Sequence, residues 1–411
     1  MAGDERVVFF PFQGEEVGGS HLSAIGLIEG LDGSKWRPLV ALHHCDGALA
    51  SHLASRGIDF VAAPKVDLPG RARIHGSGIK LSLASHFIRS IKPLTRFLRE
   101  HAVDVVHTND GEMHVAWSVP AFFAGARHVW HHRADPDARA VNLLAPVLAD
   151  RIVSVSRFSQ PSRPILTIER KLSVIRSPFS HPGIMPDRET ARKSVLASLD
   201  LAPATRILGY FGLLIERKRP LVFVDVIHAF VRRYPEVPVV GLLFGAAGLE
   251  DPDAGTAVEA RARELGISDR VRLMGFRSPI EHWMSATDVL VAPAVREPFG
   301  RTLIEAMLLG TPVVATTSGG NPEAITDDVN GFLVPPDDPN GFVGPIRRLL
   351  TDDALRTQIA VAAQTSARAA YSTQLHVQQI SELYESLLGP AQNSRPRVAA
   401  LVGRIAPSRK P

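Results

Sequence analysis

The stretch Asp288-Val-Leu-Val-Ala-Pro-Ala-Val-Arg-Glu297-Pro-Phe-Gly-Arg-Thr-Leu-Ile-Glu305 runs from an apolar segment through a turn into an amphipathic segment. Val289–Ala292 predicts a buried strand, and the proline and glycine that follow Glu297 predict a turn. The apolar spacing of Leu303–Leu309 predicts a helix, so Glu305 lies within that helix and Glu297 in the loop before it. A buried strand followed by a helix is the repeating unit of a parallel sheet.

The same unit recurs along the whole chain. Strands are predicted in the first half at Val7–Phe12, Pro38–His43, Asp59–Ala62, Val103–His107, His128–His132, Ile152–Ser156 and Leu172–Ile175. In the second half they are predicted at Arg206–Phe211, Pro238–Phe244, Val271–Met274, Val289–Ala292, Pro312–Ala315 and Phe332–Val334. Helical patterns lie between them, which predicts an α/β fold of two doubly wound, Rossmann-like domains facing across a cleft.

Breaks in this alternation predict the domain organisation. We expect an N-terminal domain at 1–176, a proline-rich linker at 177–205, a C-terminal domain at 206–370, a terminal helix at 371–388 that returns toward the N-terminal domain, and a basic, disordered tail at 389–411.

The composition narrows the class of protein. Of 411 residues, 45% are hydrophobic and 21% are charged, which excludes wholesale disorder, and a single cysteine, Cys45, excludes a disulfide framework. No apolar run reaches membrane-spanning length and the N-terminus lacks the features of a signal peptide, so a cytoplasmic location is predicted.

The net charge of +4 is unevenly placed. Nine basic residues lie between 56 and 99, against Asp59 and Asp67. Few aromatic residues interrupt them, which argues against nucleic-acid binding. A solvated surface is one interpretation; peripheral contact with the inner face of a membrane, or attraction of an acidic or lipid-linked substrate, is the other.

The loop after Val289–Ala292 has the features of a phosphate site. Backbone N–H groups in the first turn of a helix lack intrahelical acceptors and bind anions. Glu297 and Glu305 bracket this turn and can accept hydrogen bonds from sugar hydroxyls. The alternative is that both glutamates only favour the helix dipole and solvent.

The segment from Glu297 to Glu305 resembles the E-x7-E signature of the retaining glycosyltransferases of family four, which have the GT-B fold. Further segments resemble that family in order and spacing: Asp104-Val-Val-His107, Asp150-Arg-Ile-Val-Ser-Val-Ser156, Asp269-Arg-Val-Arg-Leu-Met-Gly275, Gly319-Gly320-Asn-Pro-Glu323 and Asn330-Gly-Phe-Leu-Val-Pro-Pro.

The resemblance implies transfer of a hexosyl-type sugar, with retention, from a nucleotide-sugar donor to an acceptor hydroxyl in polysaccharide or glycoconjugate synthesis, with no metal and no cofactor. It implies that the C-terminal domain binds the donor and the N-terminal domain the acceptor. Glu297 would act on the donor-sugar hydroxyls, and Glu305 would hold the ribose. Backbone amides of Phe299, Gly300, Arg301 and Thr302 would contact sugar and phosphate, and Phe276 would border the base.

Three consecutive cations, Arg217, Lys218 and Arg219, follow the strand Arg206–Phe211. Cations at a strand end suit a diphosphate leaving group. Lys218 matches the family's catalytic lysine, whereas Leu213 stands where the family has an arginine. Either Arg217 or Arg219 supplies the missing charge, or activity is reduced.

The first domain offers two weaker signals. Gly18 and Gly19 precede a helix with Ser20 as the expected N-cap, and they match a family Gly-Gly that faces the diphosphate or the acceptor. His131 and His132 end a strand where the family often has an active-site histidine; His132 is the preferred candidate, and which of the two aligns stays open.

Several alternatives remain at this point. A glycoside hydrolase would need its two carboxylates on facing elements, which one strand–helix segment does not provide. A GT-B epimerase or phosphorylase, or a catalytically impaired relative that only binds nucleotide sugars or glycans, shares the architecture. The nucleotide base, the sugar, the acceptor and the oligomeric state are not readable from the sequence.

Overall fold

A computed structural model describes residues 5–68, 83–179, 186–248 and 251–389, with the side chains of 83–88 left out. The chain divides into two compact units. The first consists of the described residues up to Phe179 together with those from Thr373 onward, and the second consists of the described residues between them. The tail predicted as disordered lies, apart from Gly389, outside the described residues.

The first unit is built on a parallel sheet that contains seven strands among the described residues. They are β1 (Arg6–Phe12), β2 (Trp36–Leu42), β3 (Phe60–Ala62), β4 (Val105–Thr108), β5 (Arg127–His132), β6 (Arg151–Ser154) and β7 (Leu172–Val174). Their order across the sheet is β3-β2-β1-β4-β5-β6-β7. The helices are α1 (Gly19–Gly30), α2 (Ala48–Ser55), α3 (Leu83–Glu100), α4 (Gly111–Ala124), α5 (Arg139–Leu143) and α6 (Ala145–Leu148).

Both faces of this sheet are buried. Val7 and Phe9 of β1 pack on one face against Trp117 of α4, whereas Val8 and Phe10 pack on the other face. Alternate residues of a strand point to opposite faces, so a strand that is apolar throughout needs cover on both sides. A further helix of the first unit, α15 (Thr373–Leu388), supplies part of that cover on the second face, through side chains that include Ile380, Leu383 and Tyr384.

The second unit repeats this plan with six strands among its described residues. They are β8 (Arg206–Phe211), β9 (Val239–Phe244), β10 (Val271–Gly275), β11 (Val289–Ala292), β12 (Val313–Thr316) and β13 (Phe332–Val334), in the order β10-β9-β8-β11-β12-β13. The helices are α7 (Arg188–Ser198), α8 (Pro220–Arg233), α9 (Ala254–Glu264), α10 (Ile280–Ala286), α11 (Arg301–Leu309), α12 (Asn321–Ala324), α13 (Val343–Thr351) and α14 (Asp353–Tyr371).

The stretch 177–205, interpreted from its prolines as a linker, contains the helix α7. Asp187 caps this helix by accepting the N–H of Thr190 at 2.8 Å, and Ala191 and Val195 are buried. The helix belongs to the second unit. Its apolar side is too narrow to produce a clear amphipathic pattern, which is why the prolines around it dominated the interpretation of the sequence.

Asp288 forms contacts that join α7 to the sheet of the second unit. Its buried carboxylate accepts the backbone N–H of Ile207 at 2.7 Å and pairs with Arg192 at 2.5 Å. Arg188 and Arg206 lie 3.6 and 3.8 Å from the same carboxylate. The start of β11, the start of β8 and one side of α7 therefore share one buried anion.

Within the described ranges, no helix combines the length and the apolar character needed to cross a bilayer.

Candidate functional site

The second sheet reverses its strand order between β8 and β11. In open α/β sheets, ligands bind at such a reversal, outside the carboxyl ends of the strands. The loops that leave these two strands carry Lys218 and Glu297. Lys218 ends a short 3-10 turn, Glu216–Lys218, and Glu297 lies between β11 and α11.

Glu297 meets two cations in this position. Its Oε2 lies 2.7 Å from Nζ of Lys218 and also accepts from Nη1 of Arg217. Burial alone would raise the pKa of Glu297, but Lys218 and Arg217 oppose it, and the resulting pKa lies below the ordinary value. The carboxylate is therefore ionised at neutral pH, and the group of three side chains carries one net positive charge.

The backbone also joins the two loops. The N–H of Val295 donates to the carbonyl of Arg217 at 2.9 Å. Arg219, by contrast, forms its ion pair with Asp337 and does not contact Glu297 in the structure. Of the two arginines expected to compensate for Leu213, only Arg217 lies beside Lys218 on the same carboxylate.

The loop between β12 and α12 contacts the backbone of Glu297 and of Arg296. The N–H of Gly320 donates to the Glu297 carbonyl at 2.8 Å, and the N–H of Arg296 donates to Oγ of Ser318 at 3.0 Å. A Cβ atom on Gly319 would lie 2.5 Å from both the backbone N and the backbone O of Glu297, and the φ of Gly319 is +66°. The family resemblance includes this Gly-Gly pair, but only the structure shows that the pair contacts Glu297.

For turnover of the nucleotide-sugar donor that the family resemblance implies, replacing Gly319 by alanine is expected to cause a decrease of about 10- to 100-fold, because a new methyl group would displace the backbone of Glu297 by part of an ångström. Steady-state kinetics with the donor measures the effect. Folding, read by circular dichroism, should be preserved, since Glu297 lies in a loop that can shift.

The matched control is Gly344→Ala, since a Cβ on Gly344 of α13 meets nothing within 4 Å. This control should keep normal turnover. Equal kinetics for the Gly319 and Gly344 variants would show that the position of Glu297 does not depend on the Gly319 contact.

A cavity of about 500 Å³ lies next to Lys218, because its lining includes Gly212, and a Cβ atom on Gly212 would lie 3.5 Å from Cε of Lys218. Its lining includes Leu213, Phe276, Thr302 and Glu305. Phe276 is 77% exposed, so its ring is available to stack on a planar ligand. Leu213 is 51% exposed and gives the cavity an apolar wall.

The remaining site residues predicted in and just before α11 lie in different environments. Arg301 pairs with Glu305 at 3.1 Å along the helix, and both remain partly accessible. The Phe299 ring packs edge-on against Tyr371 and is buried, so only its backbone is available to a ligand. Gly300 is the N-cap of α11 with φ 73°, and a Cβ atom on Gly300 would lie 3.7 Å from Cγ of Glu297, so the start of this helix is next to that side chain.

In the first unit, Gly18 is the N-cap of α1 and Gly19 is its first residue. The expectation that Ser20 caps this helix is wrong. Nδ1 of His21 accepts the N–H of Gly18 at 2.9 Å, so an imidazole performs the reach-back that a capping box usually assigns to Glu or Gln.

The two histidines at the end of β5 lie in different environments. Nε2 of His132 contacts the carbonyl of Asp135 at 3.0 Å. Nδ1 of His131 lies 3.0 Å from Nε2 of His107, whose other nitrogen lies 2.5 Å from the Tyr384 hydroxyl. His131 therefore belongs to a buried network, and His132, the preferred candidate, is held by a backbone carbonyl.

This network consists of neutral histidines. Burial, followed by the nearby charge of Arg133, lowers the pKa of His107 and of His131 well below the ordinary value. The same two causes lower the pKa of His376 to about 3. Burial also lowers the pKa of His114 well below the ordinary value.

The first unit is therefore expected to lose stability as the pH falls below about 6.5. In that range these histidines are protonated in the unfolded chain but stay neutral in the folded chain. The free energy of unfolding therefore decreases as the pH falls. Each such histidine costs about 2 kcal/mol at pH 5. Hydrogen exchange of β4 and β5 peptides between pH 7 and pH 5, corrected for intrinsic exchange rates, measures the loss.

His376→Phe should reduce the pH dependence by the share of one histidine while keeping a ring that packs against His131. A free energy of opening that is constant over this pH range would contradict the neutral-histidine network.

One residue that sequence reasoning missed is Arg133. It follows β5 directly, and Nη2 contacts Oδ1 of Asn109 at 3.2 Å. Its position one residue beyond His132, at the end of a strand, was the available signal. Elsewhere in the first unit, Nε2 of His43 accepts the indole N–H of Trp117. Among the described residues, no group of three metal-ligating side chains occurs.

Comparison with known proteins identifies the family. The model for "Glycosyl transferases group 1" matches residues 205–352, which include the whole site around Glu297. A Streptomyces avermitilis protein named D-inositol 3-phosphate glycosyltransferase is 30% identical over 363 residues, or 80% of this chain and 72% of that protein. The chain belongs to the glycosyl transferases group 1 family. This agrees with the resemblance drawn from the E-x7-E segment.

Other relatives match over a shorter range. A Corynebacterium urealyticum protein, also named D-inositol 3-phosphate glycosyltransferase, is 36% identical over 208 residues, which cover 49% of this chain. The chain thus spans about half the length, 48%, of that relative.

Solved structures show the fold. The crystal structure of Anabaena Alr3699/HepE in complex with UDP and glucose aligns with a TM-score of 0.75 and 25% identity over 92% of this chain and 99% of that one. A glycosyltransferase from Rickettsia africae aligns with a TM-score of 0.76 at 17% identity, covering 94% and 100%. The predicted GT-B fold, with two Rossmann-like domains, is confirmed.

Proposed function

We propose that this protein is a retaining glycosyltransferase that transfers a sugar from a nucleotide-diphosphate donor to an acceptor hydroxyl, and that its second unit holds the donor. The observation that carries this proposal is the convergence of Lys218 and Arg217 on the buried carboxylate of Glu297, at the strand-order reversal and beside a cavity large enough for a nucleoside.

The net positive charge of this group suits the donor's diphosphate. As the glycosidic bond breaks, its electron pair moves to the leaving diphosphate, and Lys218 and Arg217 stabilise the growing negative charge. The acceptor oxygen bonds to the same face of the sugar, and its proton passes to the departing phosphate oxygen. Glu297 accepts hydrogen bonds from sugar hydroxyls. No metal or cofactor is part of this proposal.

The cavity provides the nucleoside site. Glu305 can accept hydrogen bonds from the ribose hydroxyls, and the exposed ring of Phe276 can stack on the base. HepE has been crystallised with UDP and glucose, which supports a UDP-sugar as the donor. GDP- and ADP-sugars are the alternatives that the binding experiment compares.

The acceptor that the relatives' name indicates is not assigned to this chain. Their name refers to D-inositol 3-phosphate, but the chain spans about half the length of several of them. We place the acceptor in the first unit, as the family resemblance implies.

Contact of the basic residues 56–99 with a membrane surface, and a location at the inner face of the membrane, stay predictions. Some of these residues lie outside the described ranges. Among the described ones, Arg56 pairs with Glu29, Arg96 pairs with Glu100, and Arg99 donates to the Phe123 carbonyl. The two glutamates offset the charges of Arg56 and Arg96, and the carbonyl occupies one N–H of Arg99.

Calorimetric titration with UDP, GDP, ADP and their sugars tests donor binding, and proton NMR of the sugar released by slow donor hydrolysis tests retention. We expect UDP-glucose to bind and α-glucose to form first. A chain that binds none of these nucleotides, or one that releases β-glucose first, would contradict the proposed function.

A further inference from the structure

A buried polar bridge connects the two ends of the loop that carries Glu297. This loop leaves β11 and reaches the N-cap of α11 at Gly300. The bridge is formed by Thr316, the last residue of β12, and by Asn321, the first residue of α12. Thr316 is 1% exposed and Asn321 is 2% exposed. Both side chains are therefore placed to hold the loop rather than to meet a ligand.

Thr316 contacts the beginning of the loop. Its Oγ1 donates to the carbonyl of Ala294 at 2.5 Å. Because Ala294 lies shortly before Glu297 in the chain, this bond fixes the backbone where it leaves the sheet. The next residue, Val295, donates its N–H to the carbonyl of Arg217 at 2.9 Å. One hydrogen bond thus joins the loop to β12, and the other joins it to the loop after β8.

Asn321 connects Thr316 with the other end of the loop. Its Nδ2 lies 3.1 Å from the carbonyl oxygen of Thr316 and 3.3 Å from Oγ1 of the same residue, and it donates to both. Its Oδ1 lies against Gly300, since a Cβ atom on Gly300 would lie 3.3 Å from it. That Cβ atom would also lie 3.7 Å from Cγ of Glu297. The Asn321 amide therefore joins the end of β12 to the start of α11, next to the Glu297 side chain.

The Thr316 hydroxyl is used both as a donor and as an acceptor. The residues before it in β12, Val313-Val314-Ala315, are apolar and buried. A valine at position 316 would have the same shape and would continue this apolar run, so packing alone does not require a hydroxyl here. A buried polar network whose members are all bonded favours one arrangement of the groups that it joins. Here those groups are the two ends of the Glu297 loop.

We propose that Thr316 is a positioning residue, which acts through Ala294 and Asn321 to hold Glu297 where it meets the donor sugar. This inference rests on the proposed function, because it gives the bridge a consequence for donor turnover. A small displacement of a group that orients the substrate lowers the rate of the chemical step. UDP lacks the sugar that Glu297 would hold, so the loss should appear in kcat and not in the affinity for UDP.

Thr316→Val tests this role, because valine keeps the shape of the side chain and removes the hydroxyl. We expect kcat for UDP-glucose turnover to fall about 10- to 100-fold. The Kd for UDP, measured by calorimetry, should stay within about 2-fold of the wild-type value. Thr316→Ser keeps the hydroxyl and should recover most of the turnover.

Thr287→Val is the matched control. Thr287 is also buried, and its Oγ1 donates to the carbonyl of Trp283 at 2.9 Å, but it precedes β11 at the opposite edge of the sheet. This variant should lower the melting temperature about as much as Thr316→Val does and keep normal turnover. If Thr316→Val does not fold, Asn321→Ala should show the same loss of kcat at unchanged UDP affinity. Equal turnover in the Thr316→Val and Thr287→Val variants, or a Thr316→Ser variant as slow as Thr316→Val, would refute the positioning role.

Hydrogen exchange separates this inference from the proposed function. Peptides that cover residues 293–300 should exchange faster in Thr316→Val than in Thr287→Val, whether or not a donor is turned over. Normal UDP binding and an unchanged kcat in Thr316→Val would refute the positioning role and leave the donor assignment standing. A wild type that binds no nucleotide would refute the donor assignment, and faster exchange at 293–300 would then still show that Thr316 holds the loop.

Discussion

Lys218→Ala is expected to lower kcat/KM for donor turnover about 10²- to 10³-fold, with the fold preserved. Nζ of Lys218 lies 2.7 Å from the Glu297 carboxylate, and the proposed function assigns the donor's diphosphate to this cation. Removing this cation leaves Arg217 alone to stabilise the charge that develops on the leaving group. Steady-state release of the nucleoside diphosphate measures the loss.

Lys193→Ala is the control, since Lys193 is exposed and forms its ion pair with Glu189 on the surface of the same unit. It should keep normal kinetics.

Glu297→Ala should lower donor turnover by a comparable factor, but for a different reason. Without the carboxylate, Lys218 and Arg217 stay available to the diphosphate, so UDP binding should be kept. The donor sugar, however, loses the group that positions it. Near wild-type turnover in either the Lys218 or the Glu297 variant would contradict the assignment.

Asp288→Ala is expected to destabilise the second unit by about 3–5 kcal/mol. The variant removes a buried carboxylate from between Arg192, Arg188 and Arg206, and it leaves the N–H of Ile207 without its acceptor. Removing one side of a buried ion pair strands the opposite charge, which costs more than the pair itself contributes. Hydrogen exchange of β8 and β11 peptides measures the change.

Asp269→Ala is the matched control, because the Asp269 side chain is 73% exposed and pairs with its neighbour Arg270. An exposed pair of this kind contributes about 1 kcal/mol or less. Equal protection of β8 in the Asp288 and Asp269 variants would show that the buried cluster does not anchor the sheet.

The strands were predictable because a strand that is buried on both faces needs apolar residues at consecutive positions, and such runs are visible in the sequence. Val289–Ala292 and Phe332–Val334 begin and end where the sequence indicated. Glu305 was placed correctly inside a helix and Glu297 in the loop before it, since the proline and glycine between them leave few other conformations.

Other family-like segments proved to have structural roles. Asp104, Asp150 and Asp288 each precede a strand, and the carboxylate of each accepts the backbone N–H of the second residue of the neighbouring strand. An arginine at the start of that neighbouring strand pairs with each of them: Arg6, Arg127 and Arg206 respectively. A sequence pattern alone does not separate such a strand anchor from a ligand-binding aspartate.

The parts that the sequence did not yield depend on side-chain direction and on loops that are distant in the chain. Arg217 and Arg219 are two residues apart, yet one reaches Glu297 and the other reaches Asp337. Likewise, Arg133 was overlooked beside two histidines, because only the order of β4 and β5 in the sheet brings it against Asn109.

A crystal structure of the chain with UDP bound tests the central claim most directly. The donor assignment predicts diphosphate oxygens within hydrogen-bonding distance of Lys218 and Arg217, the ribose at Glu305, and the uracil in the cavity beside Phe276. UDP bound elsewhere on the chain, or a diphosphate that touches neither cation, would contradict it.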